Sequence, residues 1–171
     1  MQHLQKLQKN VEHRLNTIHS AFSLPLDEIH LMTLPPRHCH RLFERYKHEE
    51  EMDFLMKQLI NLNQNRLYII GSNQMGTMIS LPSLLKKKTL SYQSVFLIDE
   101  EGSDLIDGGD YLCVTYRGNY EQSAYWGQQL AQYAHAHKFK IRGDLLEILW
   151  IDIHTTSDES EYITQLQLPI A

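Results

Sequence analysis

What most limits the fold of this chain is a repetition inside it. Between residues 27 and 168 it runs twice through the order strand, strand, helix, strand, strand. In the first pass residues 27–34 alternate, with Ile29, Leu31 and Thr33 on one side and His30, Met32 and Leu34 on the other, until Pro35-Pro36 ends the strand. Residues 37–43 are a second extended segment. Residues 48–62 form a helix with Met52, Leu55, Leu59 and Leu62 on one face, and residues 66–70 and 77–81 are short strands. In the second pass residues 94–99 and 111–116 are strands, residues 121–137 a helix, and residues 145–153 and 161–168 the closing strands. Strands outnumber helices and the connections are short. The expected class is therefore α+β, with duplicated strand-strand-helix-strand-strand units forming an antiparallel sheet and helices on one face. Such a sheet can leave its other face uncovered, which offers a place for a ligand.

Ahead of the repeats, residues 4–22 read as one amphipathic helix. Leu4, Leu7, Val11, Leu15, Ile18 and Phe22 follow helical spacing, opposite a polar face that includes Gln5, Lys9, Asn10 and Glu12. A one-sided apolar stripe must be buried, and an isolated helix of this length is marginal in water. Nothing else in the early chain demands the stripe, so a second copy of the helix is the expected partner. Arg14 interrupts the heptad seam and keeps it short. The expected division is residues 1–24 as an amphipathic dimerisation helix and linker, and residues 25–171 as the globular domain.

Composition removes several function classes. The 171 residues carry a formal net charge of -5, and Lys86-Lys87-Lys88 is the one basic run. Phosphate neutralisation needs a basic footprint, so direct nucleic-acid binding is not expected. No apolar stretch approaches the ~18 residues that span a bilayer, and the first ten residues have no signal-peptide core, so the cytoplasm is the expected location. Cys39 and Cys113 stand far apart and read as core thiols. On a strand His38 and His40 would share a face, but no third ligand has zinc-like spacing. The segment from Gly71 to Gly76 lacks the Lys-Ser/Thr ending of a phosphate loop. No cofactor or metal is expected.

The run Leu145-Leu146-Glu147-Ile148-Leu149-Trp150-Ile151 is apolar but for one residue. Glu147 shares a face with Leu145, Leu149 and Ile151. A buried carboxylate is costly unless something offsets it. Three roles compete: an edge charge or core ion pair, a general acid or base, and a counter-charge for a cationic ligand. If the last two strands pair so that residue numbers sum to an odd value near 313, Tyr162 joins Glu147 on that face; a one-residue slip separates them. Aromatic faces attract cations, more so when desolvated, so a carboxylate among aromatics suits a lipophilic cation.

Residues 143–170, ending Glu161-Tyr162-Ile163-Thr164-Gln165-Leu166-Gln167-Leu168-Pro169-Ile170, resemble the end of the GyrI-like effector-binding domains of BmrR-type multidrug regulators. The block YLCVTYRGNY followed by a helix is similar too, and the likeness covers about residues 27–171. The closing pattern here is one residue longer before the proline. The resemblance implies a duplicated β-rich fold, no enzymatic activity and a pocket for a small, lipophilic, cationic effector. It makes Glu147 the acidic contact, Tyr162 a pocket tyrosine and Leu149 an aliphatic pocket position. Tyr120, Tyr125, Tyr46 and Tyr68 take aromatic positions. It likens residues 4–22 to the dimerisation helix of MerR-type regulators, so the chain begins inside that helix, as a fragment or a stand-alone sensor. Any contact with DNA would belong to a domain absent from this chain. Relatives also imply two alternatives: a hydrolase of strained electrophiles using Glu147 and Tyr162, and a gyrase-interacting module.

Overall fold

Alternating strands from both repeats merge into one eight-stranded sheet in the computed structural model, which describes residues 2–63, 73–86 and 89–171. Helix α1 (Gln2–Ala21) leads to strands β1 (His30–Leu34) and β2 (Arg37–Leu42), helix α2 (Glu49–Leu62) and strand β3 (Met75–Ile79). A short helix α3 (Leu81–Leu85) precedes β4 (Tyr92–Ile98), β5 (Asp104–Ile106) and β6 (Gly109–Arg117). Helix α4 (Gln122–Ala136), β7 (Leu145–Ile151), a 3-10 turn and β8 (Ile163–Pro169) complete the chain. All named strand pairs are antiparallel, in the order β1-β6-β8-β7-β3-β4-β2-β5.

That order is unchanged when β1, β2, β3 and β4 are exchanged for β5, β6, β7 and β8. The duplication is therefore real, but the repeat boundary differs from the sequence expectation. The strand at 94–99 closes the first half rather than opening the second, and the second half opens with β5, whose three residues are too few to show a period. The approximate two-fold axis crosses the seam between β3 and β7, where Thr77 pairs with Glu147. The expected strand at 66–70 lies outside the described residues.

Helices α2 and α4 cover one face. Met52, Leu55, Met56 and Leu59 from α2 and Leu130 and Ala134 from α4 join Val95, Leu97, Leu112, Val114, Leu145, Leu149, Leu166 and Leu168 in the main core. The opposite face is not open, contrary to expectation. Cys39, Phe96, Ile106, Tyr111, Cys113, Leu146 and Ile148 form a second core there, with Met32 and Leu34 against it. Residues of β1, β2, β5 and β6 come from the two ends of the sheet, so they meet only if the twisted sheet curls into a half-barrel. Gly76 permits this packing: a Cβ there would stand 2.3 Å from the Phe96 ring.

Helix α1 uses two faces. Ile18 and Ala21 pack on Trp150, Ile151 and Ile163, and the buried Arg14 Nη2 donates to Thr155 Oγ1 at 3.1 Å. The interruption in the heptad pattern is thus the residue that docks α1 on its own domain. Leu4, Val11, Leu15 and Phe22 remain 68, 41, 51 and 62% exposed. No helix among the described residues is long and apolar enough to cross a membrane.

Candidate functional site

Strand β7 pairs β8 with Leu146 opposite Gln167, Glu147 opposite Leu166 and Leu149 opposite Thr164, so the paired numbers sum to 313. The register shifts after Leu149, and Ile151 leaves the face for the cluster under α1. Glu147 and Leu149 therefore face the helices, together with Thr164, Leu166 and Tyr162. That is the helix-covered side of the sheet, not the side expected to stay open. Glu147 is only 1% exposed.

Two neighbouring elements donate to the carboxylate. From β3, Thr77 Oγ1 donates to Glu147 Oε1 at 3.1 Å. From α4, Ser123 Oγ donates to Glu147 Oε2. That gives away the one Ser123 proton, so the 2.7 Å contact between Tyr116 and Ser123 has the phenol as donor. The chain Tyr116–Ser123–Glu147–Thr77 runs from β6 across to β3, buried throughout. Serine reaches the sheet because the buried stripe of α4 is small: Ser123, Gly127, Ala131 and Ala134 accompany Leu130. A Cβ on Gly127 would lie 2.8 Å from Leu84 and 2.9 Å from Leu145.

Two tyrosine pairs flank the carboxylate. Tyr46 stacks on Tyr92 with centroids 4.7 Å apart and planes 8° from parallel, and the two backbones exchange hydrogen bonds of 3.2 and 3.0 Å. Tyr120 stacks on Tyr162 at 5.4 Å and 28°. The internal symmetry relates the pairs: Tyr46 and Tyr120 each precede the long helix of their half, Tyr92 begins the last strand of the first half, and Tyr162 immediately precedes that of the second. Burial raises the Tyr46 phenol well above its ordinary pKa, and the charge of Glu147 adds to this. Burial does the same to Tyr120, reinforced by Asp152 and then Glu147. Both rings thus stand within the field of the carboxylate, and both stay neutral at any physiological pH. The Tyr120 hydroxyl is buried and reaches no hydrogen-bond partner among the described residues.

Of the residues expected from sequence, Glu147, Leu149, Tyr46, Tyr120 and Tyr162 come together. Tyr125 does not join them: it is 58% exposed on the outer side of α4, edge-on against Trp126 at 5.1 Å. Tyr68 lies outside the described residues. Tyr92, Thr77, Ser123 and Tyr116 were not foreseen. Tyr92 was within reach of the sequence, since it stands at the entry to the first half's last strand as Tyr162 does to the second's. The two hydroxyl donors to Glu147 carry no sequence signal, because a register and a helix approach bring them there. Elsewhere, His40 pairs with Asp99 at 3.1 Å while His38 is exposed. Both cysteines are free and buried.

Two cavities lie away from this cluster. One of about 470 Å³ sits between α3 and α4, lined by Leu84, Gln128, Ala131, His135, Phe139 and Ile141 among others. The other, of about 160 Å³, opens on the opposite face of the sheet.

No family model matches the chain, and no curated protein matches it in sequence. Solved structures do. The C-terminal domain of EcmrR is similar with a TM-score of 0.62 and 12% identity, covering 84% of this chain and 97% of that one. EcmrR in its complex with DNA is similar with a TM-score of 0.64 and 13% identity, covering 99% of this chain and 68% of that one. SAV2435 bound to tetraphenylphosphonium gives 0.55 and 15%, covering 84% and 94%. A hydrolase from Listeria innocua gives 0.51 and 10%, covering 89% and 96%. The duplicated sheet, the paired helices and these likenesses together establish that the chain has the GyrI-like fold.

Proposed function

We propose that this chain is the effector-binding domain of a transcription regulator, sensing lipophilic cations at Glu147. One observation carries this reading: a carboxylate sealed from solvent between two stacked tyrosine pairs, Tyr46–Tyr92 and Tyr120–Tyr162, and held by the neutral hydroxyls of Thr77 and Ser123. Aromatic faces and a desolvated carboxylate both favour a delocalised cation over water. The likeness to SAV2435, solved with tetraphenylphosphonium, supports the ligand class, and the likeness to EcmrR in a DNA complex supports the regulator role. Residues 1–24 act as helix and linker, and residues 25–171 as the sensor. The exposed stripe Leu4, Val11, Leu15 and Phe22 takes a second copy of α1, so the working unit is a homodimer. DNA is reached through another domain.

In the closed site, the ligand must part the tyrosine pairs and compete with two hydroxyls for Glu147. Titration of the dimer with tetraphenylphosphonium and with neutral triphenylphosphine oxide is the test. Tighter binding of the cation, by tenfold or more, is expected; equal affinity would remove the reading.

A second reading has the likeness to a Listeria innocua hydrolase behind it. Glu147 would act as general base and Tyr162 as hydrogen-bond donor toward a strained electrophile. Turnover of a reactive cyclopropane above background would favour it over a pure sensor.

A further inference from the structure

The larger of the two cavities, about 470 Å³ between α3 and α4, shares no lining residue with the cluster around Glu147. Gly127 lets α4 approach Leu84, and the cavity opens beside the turns of α4 that follow. At the end of α4 Lys138 takes a φ of 61°, and the Phe139 N–H donates to the Ala134 carbonyl at 2.9 Å. That turns the chain so that Phe139 and Ile141 make one wall of the cavity. Leu84, Leu85 and Ala131 supply the rest of its apolar lining. Leu84 and Ala131 are buried, but Leu85 is 55% exposed, apolar surface that an occupant would take out of water. The polar lining comes from one strip of α4, where Gln128, Gln132 and His135 stand at i, i+4 and i+7. Gln128 is half-buried, and Gln132 and His135 are exposed at the mouth.

Charge of one sign surrounds this cavity. The two segments that build it, residues 80–98 and 122–143, contain Lys86, Lys87, Lys88, Lys138, Lys140 and Arg142, and none of the chain's 21 Asp and Glu. Lys86 directly follows the lining Leu85 and opens the basic run, whose other two members lie outside the described residues. Lys138 and Lys140 flank Phe139, and all three of these described lysines are exposed. The nearest acid in sequence, Asp144, accepts from the Leu81 N–H at 2.8 Å, at the opposite end of α3 from Lys86. In a chain of net charge -5 this is a local positive field beside an apolar hollow. No lysine is part of the lining itself. Apolar walls with cations around the rim are the complement of an amphipathic anion.

We propose that the cavity between α3 and α4 binds a free amphipathic carboxylate, its tail against Leu84, Leu85 and Phe139 and its head at the basic mouth. At ~30 Å³ per heavy atom the space holds about fifteen, an alkyl carboxylate of about ten to fourteen carbons. A hollow of this volume lies in the range of small-molecule sites. A membrane surface matches it less well, because Leu85 is the one large apolar residue of the lining that is exposed, and a lipid-facing surface needs a row of them. The site is independent of the cation reading, because it shares no residue with the Glu147 cluster and takes the opposite charge.

The test is calorimetric titration of the full chain with decanoate and, separately, with uncharged decanol, each with and without tetraphenylphosphonium. Saturable binding of one decanoate per chain is expected, at least tenfold tighter than decanol and not displaced by tetraphenylphosphonium. L85D places a carboxylate in the exposed wall; it weakens decanoate at least tenfold and leaves tetraphenylphosphonium titration unchanged. K86E/K140E reverses two exposed rim charges; it weakens decanoate and leaves decanol as it was, and it carries the test if L85D does not fold. Decanoate that fails to saturate, that binds no tighter than decanol, that L85D or K86E/K140E leaves intact, or that tetraphenylphosphonium displaces overturns the proposal. Sedimentation with phosphatidylglycerol vesicles covers the other source of the same chemistry. Co-sedimentation that L85D abolishes, without saturable decanoate binding, would make the mouth a membrane contact and overturn it as well.

Discussion

Replacing Glu147 by Gln separates what the carboxylate does for the fold from what it does for a ligand. Glutamine keeps the size of the side chain and one acceptor oxygen. Of the two hydroxyls that now donate to Glu147, Thr77 and Ser123, one loses its acceptor. A buried donor left unsatisfied costs ~1–3 kcal/mol. Against this, the fold no longer desolvates a carboxylate, which returns an amount of similar size or more. The expected change in stability by urea unfolding is therefore within about 1 kcal/mol, of either sign. Binding behaves differently. A cation seated over the tyrosine rings at ~6 Å from the carboxylate gains ~2.8 kcal/mol at an effective dielectric of ~20. Removing the charge costs most of this, so the dissociation constant for tetraphenylphosphonium rises about 30- to 100-fold. Triphenylphosphine oxide, uncharged, changes little. Fluorescence-quenching titrations of both ligands against both proteins give the comparison. A loss of affinity that is equal for the cation and the neutral ligand would refute the charge argument, and a large fall in stability would show that Glu147 is a structural group.

The remaining expectations use other parts of the molecule. S123A removes a donor to Glu147 and the acceptor of Tyr116, so the melting temperature falls by about 3–8 °C, while the cation, freed of one competitor, binds more tightly. Parallel losses of stability and affinity would contradict the competition. R14M unties α1 from Thr155 and leaves the buried Asp152 without its neighbouring charge, at ~2 kcal/mol in urea unfolding; no change would mean that α1 docks through Ile18 and Ala21 alone. Burial pushes the Cys113 thiol up to about 12, above its ordinary value. A raised folded pKa means that the stability is fully present at neutral pH and is lost as pH rises from about 9 through about 12, so alkaline unfolding in that window is expected. The native thiols should also stay unreactive toward a disulfide reagent at pH 8; fast labelling of Cys113 would show that the half-barrel opens.

Much of the architecture was legible because strands and helices have periods. The alternation in residues 27–34, the helical spacing in 48–62 and 121–137, and the apolar run around Glu147 all correspond to elements found in place. The pairing of β7 with β8 followed from keeping Glu147 and Tyr162 on one face, since a slip would reverse every side chain. Illegible features were those set by three-dimensional approach. Strand β5 is three residues long, and α3 is a five-residue helix with a proline in its first turn. The apolar periodicity of 121–137 offers Tyr125 or Trp126 as core; Trp126 packs against it, half-buried, while Tyr125 turns outward, and the fully buried stripe is mostly of small residues. Close approach of α4 to the sheet rewards small side chains there, and hydropathy does not report closeness.

The place of Glu147 in a duplicated fold bears on how such a site arises. The approximate two-fold axis sets β3 beside β7, so symmetry-related positions become direct neighbours at the seam, Thr77 against Glu147. The same axis doubles the aromatic walls, with Tyr46 and Tyr92 answering Tyr120 and Tyr162. Two identical carboxylates at the seam would repel across one rung of the ladder, where side chains stand ~5 Å apart. One carboxylate and one hydroxyl instead give a donor and an acceptor that satisfy each other at 3.1 Å. The duplication thus supplies a symmetric aromatic enclosure, and a single departure from symmetry supplies its charge. It follows that T77E should destabilise the protein, by more than E147Q does, because a second carboxylate replaces the donor to the first; lowering the pH toward 4, where one of the pair takes up a proton, should recover part of that loss. Were T77E as stable as the unaltered protein at pH 7, the two positions would not share one desolvated space, and the account of the site built on their juxtaposition would fail.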